Sequence, residues 1–273
     1  MNLQLEAAAF TYPGGARALG GVSLVVSGGT WLALVGENGA GKTTLAKLLC
    51  GLLRPDAGRV WVGDWDTREH TAAQLARRVS YVFQNPDDQL FERSVQSEVA
   101  FGPRNLGLPA TEIEARVRQS LQALQLDGLR ARHPYELTPA QRKFVALAAA
   151  DAMQAPFVIL DEPTTGLDGP SQQLLAAYLA RKRQEGQTLI AISHDMDFVA
   201  ENFERVVLLS QGTVLADGPA AQVFGQTDLL AASQLEAPQL ARLAAGLGWP
   251  TTPLTVEAFV AALAFRLSQE VQG

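Results

Sequence analysis

The chain has 273 residues, of which 47% are hydrophobic and 18% charged, and its formal net charge is −6. That length allows one large domain, or one domain with a modest appendage, and the apolar content suffices for a buried core, which excludes a disordered chain. The acidic balance argues against a nucleic-acid partner, which needs a basic face to neutralise phosphates, and against adhesion to an anionic membrane by charge alone.

The opening stretch MNLQLEAAAFTYP lacks the basic start and long apolar run of a secretory signal. Nowhere does the sequence approach the roughly 20 apolar residues of a spanning helix. Residues 1 to about 85 read as short β-runs around one helix. LQLEAA, VSLVV, WLALVG, RVWVG and VSYVF are rich in β-branched and aromatic residues and are bounded by Gly, Pro or Asp. The lone cysteine, Cys50, sits in the apolar run LAKLLCGLL; it reads as a small core residue and fits a reducing cytoplasm. In DWDTREHTA, Asp64, Asp66, Glu69 and His70 have the composition of a metal cluster, but a solvated polar turn is the plainer reading.

From about 86 to 155 the texture is helical. Ile113, Val117, Leu121 and Leu124 recur at three- and four-residue spacing, and TPAQRKFVALAAADAM supplies a second helix. Strands return as FVIL, TLIAIS, RVVLL and TVLAD, with helices between them. This order predicts an α/β domain over 1–218 with a mixed β core and a helical subdomain inserted at about 86–155. After Gly218 the chain turns Ala/Leu-rich, and PQLARLAAGLG and TVEAFVAALAFRLSQE predict a helical unit over 219–273.

Two constellations carry chemistry. GENGAGKTT begins directly after the strand WLALV and opens a helix. It runs Gly36, Glu37, Asn38, Gly39, Ala40, Gly41, Lys42, Thr43, Thr44. Glycines let the backbone curl so that successive N–H groups face phosphate oxygens, and the helix start adds its positive dipole end. Lys42 carries a point charge to the β and γ phosphates, and Thr43 offers a hydroxyl to Mg²⁺. The second constellation is FVILDEP, a buried strand ending in two carboxylates. At the C-terminal edge of a parallel strand these face the ligand crevice. Asp161 is the candidate holder of Mg²⁺, and Glu162 the candidate base that orients and deprotonates the attacking water. The expected ligands are therefore a nucleotide with a phosphate chain and Mg²⁺; the loop alone does not choose among nucleotide-binding families.

GENGAGKTT, VFQNP, VILDEPTTGLD and AISHD, in that order, resemble the ATPase subunits of ABC transporters over residues 1 to about 220. The resemblance implies a P-loop ATPase fold, ATP as the nucleotide, and further roles. Tyr12 matches an aromatic that stacks on adenine. Gln84 matches a glutamine that reaches Mg²⁺ and the attacking water and senses the membrane partner. His194 matches a histidine that contacts the γ-phosphate. Leu167 and Asp168 match the loop that crosses to a second ATPase. FQNPDDQLFERSVQSEVAFGPRNLGLP and the tail segment LAAGLGWP are similar to energy-coupling factor importers, which take up vitamins and metal ions such as cobalt and nickel. That likeness implies a membrane coupling subunit and a substrate-binding membrane subunit, a seat at the cytoplasmic face of the membrane, and a C-terminal unit that joins two ATPases.

One stretch departs from the family. Its signature is Leu-Ser-Gly-Gly-Gln, whereas Leu137, Thr138, Pro139, Ala140 and Gln141 stand here. Pro139 has no N–H to donate, and Ala140 adds a carbon where close phosphate approach favours glycine. The residues make a sound helix start instead, with Thr138 as N-cap, Pro139 next and Gln141 closing a capping box. ABC ATPases pair head to tail, so each ATP lies between one chain's phosphate loop and its partner's signature. A heterodimer with an intact-signature partner is therefore expected. A regulatory subunit with little hydrolysis, and an importer fed by a soluble binding protein, are the alternatives. An ABC ATPase acting on DNA or ribosomes would need long coiled coils or tandem units with basic linkers, which the sequence lacks.

Overall fold

The computed structural model describes residues 1–270. Its strands are β1 (Asn2–Thr11), β2 (Arg17–Ser27), β3 (Trp31–Val35), β4 (Ala57–Val62), β5 (Trp65–Asp66), β6 (Val79–Val82), β7 (Phe157–Asp161), β8 (Thr188–Ile192), β9 (Arg205–Ser210) and β10 (Thr213–Pro219). Its helices are α1 (Lys42–Leu49), α2 (Ala72–Leu75), α3 (Val95–Asn105), α4 (Ala110–Ala123), α5 (Pro139–Met153), α6 (Gly169–Gln184), α7 (Met196–Asn202), α8 (Ala220–Phe224), α9 (Thr227–Ala232), α10 (Gln239–Gly246) and α11 (Val256–Glu270).

Two sheets form. A four-stranded antiparallel sheet has the order β2-β1-β4-β5, and a six-stranded sheet has the order β10-β9-β3-β8-β7-β6. In the larger sheet β6, β7, β8, β3 and β9 run parallel, and β10 closes one edge antiparallel. Its central strands β3, β7 and β8 are buried throughout and almost wholly apolar because both faces are covered. Their period of two divides the side chains between two cores. Leu32, Leu34, Phe157, Ile159, Ile190 and Ile192 face the core shared with α1 and the smaller sheet. Ala33, Val35, Val158, Leu160, Leu189 and Ala191 face the core shared with the helices α3 to α6.

The periodic residues Ile113, Val117 and Leu121 fall in α4, and a separate helix, α3, precedes it. Helix α3 starts at Ser94, whose side chain forms a capping box with Ser97, and it carries Pro103 within its length. Gly107 (φ 75°) ends it, and Pro109 precedes α4. A left-handed glycine followed by a proline cannot continue a helix, so RNLGLPATEIEARV spans two helices rather than one. The α5 start forms as its residues predict: Thr138 Oγ1 accepts from the Gln141 N–H at 3.2 Å, and Gln141 Oε1 accepts from the Thr138 N–H at 3.0 Å.

The acidic groups of the polar turn at 64–72 are taken up by arginines: Asp64 by Arg78 and Asp66 by Arg68. Arg68 is bidentate on Asp66, and the Trp65 ring stacks on His70 at 4.3 Å. The Arg78 guanidinium lies 3.7 Å from the Trp65 centroid. No group of three or more potential metal-ligating His, Cys, Asp or Glu is found among the described residues. Cys50 is buried, and that burial pushes its thiol pKa up. Beyond Gly218, Ala220, Val223, Phe224 and Leu230 join the core on the helical side. Helix α11 leaves Val256, Val260 and Phe265 more than half exposed. Residues 271–273 of the expected C-terminal unit lie outside the described residues. None of the described helices is long and apolar enough to cross a membrane.

Candidate functional site

The loop between β3 and α1 is shaped by glycine where the backbone is crowded. Gly36 (φ 152°) and Gly41 (φ 102°) sit where an added side-chain carbon would run into the carbonyl oxygens of Leu209 and Ala18 respectively. Only glycine combines such a conformation with such an approach. Lys42, the first residue of α1, folds back across the loop, and its Nζ donates to the carbonyls of Gly36 at 2.6 Å and Glu37 at 2.9 Å. Burial lowers the Lys42 pKa, with Glu162, Asp161 and Glu37 acting in the opposite sense.

Parallel pairing of β7 between β6 and β8 brings the acidic pair to this loop. Asp161 Oδ2 accepts from the Thr43 hydroxyl at 3.1 Å and from the Tyr81 hydroxyl at 2.6 Å. Asp161 Oδ1 is buried with no hydrogen-bond partner. An orphaned carboxylate oxygen next to a threonine hydroxyl fits a hard divalent cation held partly through water. Burial, and then the neighbouring Asp161, push the Tyr81 pKa far upward, so its hydroxyl stays a donor.

Glu162 follows in a left-handed conformation (φ 49°), uncommon for a residue with a side chain. It is held from two sides. Its N–H donates to the Ile192 carbonyl at 2.8 Å, and Lys143 Nζ donates to the carbonyls of Glu162 and Thr165, both at 2.8 Å. Burial draws the Lys143 pKa down, against the pull of Glu162 and Asp161. The Glu162 carboxylate, 7% exposed with its residue, lies 2.7 Å from His194 Nδ1.

These groups line one cleft of about 750 Å³. Tyr12, every residue from Gly36 to Thr44, Gln84, Asp161, Glu162 and His194 all reach it. Tyr12 is 38% exposed, and its hydroxyl shares a 3.1 Å hydrogen bond with that of Thr44. The remaining expected residues lie elsewhere. Thr138, Ala140 and Gln141 line a different hollow together with Asp168, while Pro139 and Leu167 line a third beside Gln84. Leu137 is buried. Asp168 caps α6 by accepting from the Ser171 N–H at 2.9 Å, and hydrogen bonding from Ser171, its side chain first and its N–H second, holds the carboxyl below the usual range. Within one chain the stretch 137–141 therefore does not face the cleft.

Several lining or supporting residues escape sequence reasoning. Gln234 and Leu235 reach the cleft from beyond Gly218, and no local pattern marks them. Lys143 and Tyr81 carry a weak signal: a cation inside an apolar helix, and a phenol inside a buried strand, must place their polar ends somewhere. On the far side of β6, an apolar groove of about 850 Å³ is lined by Tyr81, Phe83, Phe91, Phe101 and Met153 among others. Phe91 and Phe101 are 60% and 40% exposed and meet edge to face at 4.7 Å. Phe83 thus faces the groove while its neighbour Gln84 faces the cleft.

A family model described as ABC transporter matches residues 19–165. The chain is 43% identical to the cobalt import ATP-binding protein CbiO of Rhodobacter capsulatus, over 89% of this chain and 87% of that protein. It is 38% identical to the energy-coupling factor transporter ATP-binding protein EcfA of Methanothermobacter thermautotrophicus, over 88% of this chain and 78% of that protein. It spans 40% of the length of two longer ABC transporter ATP-binding relatives from Methanosarcina. Among solved structures, CbiO1 of Clostridium perfringens, part of a CbiONQ transporter complex, superposes with a TM-score of 0.73 at 31% identity, covering 90% of this chain and 98% of that one.

Proposed function

The chain belongs to the ABC transporter family, and on that premise we propose that it is the ATP-hydrolysing subunit of an energy-coupling factor type importer. The observation that carries this reading is the junction at Phe83 and Gln84, where a nucleotide-sized cleft backs directly onto an uncovered apolar groove. Motion at one cavity is passed to the other through adjacent residues of one short segment. In this proposal the groove receives a helix of a membrane coupling subunit, which seats the chain on the cytoplasmic face. A separate membrane subunit binds the solute, a vitamin or a transition-metal ion, as the cobalt import relative suggests.

Within the cleft, Tyr12 stacks on adenine. The N–H groups of Gly36 to Thr44 and the Lys42 ammonium hold the phosphates. Lys42 exchanges its present carbonyl partners for phosphate oxygens, which relieves a buried cation of incomplete pairing. Thr43, Asp161 and Gln84 would hold Mg²⁺, which would supply neutralisation of the triphosphate's charge. Glu162 orients and deprotonates the attacking water, and His194 stays against Glu162 at the γ-phosphate end.

The cleft lacks a signature from its own chain, because Thr138, Ala140 and Gln141 face a different hollow. A second ATPase must supply one. With Pro139 and Ala140 in place, a homodimer has two sites each short of a backbone donor, a deficit of about 1–3 kcal/mol at each. A heterodimer with an intact-signature partner has one good site, built on this chain's Lys42, Asp161, Glu162 and His194. The uncovered residues of α11 suit a joint between the two ATPases. The Pro139–Ala140 departure also supports a second reading, in which this chain mainly binds ATP and regulates its partner.

The test is to purify the chain alone and with the ATPase and membrane protein encoded beside it. The pair should hydrolyse ATP well above the lone chain. Phe91→Glu should abolish co-purification with the membrane protein while leaving ATP affinity intact. A lone chain as active as the pair would remove the heterodimer; a membrane complex that survives Phe91→Glu would remove the groove.

A further inference from the structure

We propose that Tyr81 is a positioning residue for the divalent cation that accompanies ATP, acting through Asp161. The inference rests on the reading of Asp161 as the cation-holding carboxylate. Tyr81 lies outside every motif that marks the cleft, and its ring forms part of the wall of the apolar groove on the other side of β6. Strand β6 runs parallel to β7 with Tyr81 opposite Ile159. From there the phenol hydroxyl reaches through to Asp161 Oδ2 at 2.6 Å, within the range of a strong charge-assisted O–H···O⁻ bond.

A carboxylate at the end of a side chain turns about its last bond with little resistance. Asp161 is denied that freedom. The Tyr81 hydroxyl and the Thr43 hydroxyl arrive at the same oxygen from different elements, β6 and α1. Oδ2 is thereby committed, and Oδ1 is left buried and unpartnered, which is the state an incoming cation or its bound water requires. Thr43 is itself a candidate cation ligand, so its bond is shared between two tasks. The Tyr81 bond serves Asp161 alone. Partners of this kind, one step removed from a metal, typically carry a 10- to 100-fold share of its affinity.

Tyr81→Phe isolates the hydroxyl, because the ring that packs in the groove wall is kept. ATP affinity of the full chain is measured by calorimetry at a series of free Mg²⁺ concentrations and in EDTA, alongside wild type and Asp161→Asn. The expected result is unchanged affinity in EDTA and a Mg²⁺ requirement raised about 10-fold in Tyr81→Phe. If Asp161→Asn shifts the Mg²⁺ dependence and Tyr81→Phe does not, the role of Tyr81 is overturned while that of Asp161 stands. A lowered melting temperature with wild-type Mg²⁺ dependence has the same meaning: the hydroxyl is then structural only. If neither variant shifts the dependence, the reading of Asp161 falls and the proposal falls with it.

Discussion

Replacing Asp151 tests how the helical lobe is tied to the rest of the chain. Asp151 lies near the end of α5 and is 8% exposed. Its carboxylate takes the Lys182 ammonium at 2.5 Å, the Ser120 hydroxyl at 2.7 Å and the Tyr178 hydroxyl at 3.0 Å. One side chain thereby joins α4, α5 and α6. Asp151→Ala strands Lys182, whose side chain is 10% exposed and keeps only Glu185 at 2.8 Å. Removing one partner of a buried ion pair costs about 3–5 kcal/mol, and the Glu185 contact places this case near the lower end. Two buried hydroxyls also lose their acceptor, at about 1 kcal/mol each, partly overlapping with the first term. The expected loss is therefore about 3–5 kcal/mol. Asp151→Leu/Lys182→Met removes both charges and should cost at least about 2 kcal/mol less than the two single changes summed. Urea unfolding at neutral pH, followed by circular dichroism with m-values compared, measures each variant and reveals any separate unfolding of the lobes. An additive cycle, or an Asp151→Ala cost under about 1 kcal/mol, would refute the tie.

Glu162→Gln should slow hydrolysis on the order of 10²- to 10⁴-fold with ATP affinity nearly unchanged, and should trap an ATP-bound dimer visible by gel filtration. Gly36→Ala should cost about 2–3 kcal/mol and weaken ATP binding, because its new carbon meets the Leu209 carbonyl. Gly39→Ala meets no atom and bears only its left-handed φ of 83°, so about 1 kcal/mol is expected; melting curves and ATP titrations compare the two. Glu98, buried beside the groove, has its carboxyl pushed above the ordinary 4.5 by desolvation, with the Glu92 and Phe91 N–H groups pulling the other way. As pH rises past 4.5 the unfolded chain loses this proton before the folded one, so the wild type should lose stability relative to Glu98→Gln. Urea midpoints from about pH 4 to 7 check this, and a relative rise over that window would contradict it.

Much of the cleft can be read directly in the chain. Gly36–Thr43 works through contiguous backbone, so its order in sequence is its order in space. FVILDEP announces itself because carboxylates at the end of an apolar run have no packing reason to be there. The start of α5 is equally plain, since Thr138 and Gln141 satisfy each other locally and Pro139 suits the first helical position. Helix α3 was harder to see. The apolar period begins only at Ile113, so it marks α4 but not α3, and Gly107 and Pro109 are the local signals that separate the two.

The sequence by itself determined the chemistry available, the strand and helix signals flanking it, and the departure at Pro139 and Ala140, because each depends on neighbours in the chain. Tertiary structure alone decided which distant groups meet. The pairing of β6 with β7 set Tyr81 on Asp161. Packing of α5 against the 162–165 turn put Lys143 beneath Glu162. The same packing turned residues 138–141 away from the cleft that their own chain builds. Such contacts join residues tens of positions apart, and chain spacing carries no record of which buried donor will find which acceptor until the sheet and its helices are assembled.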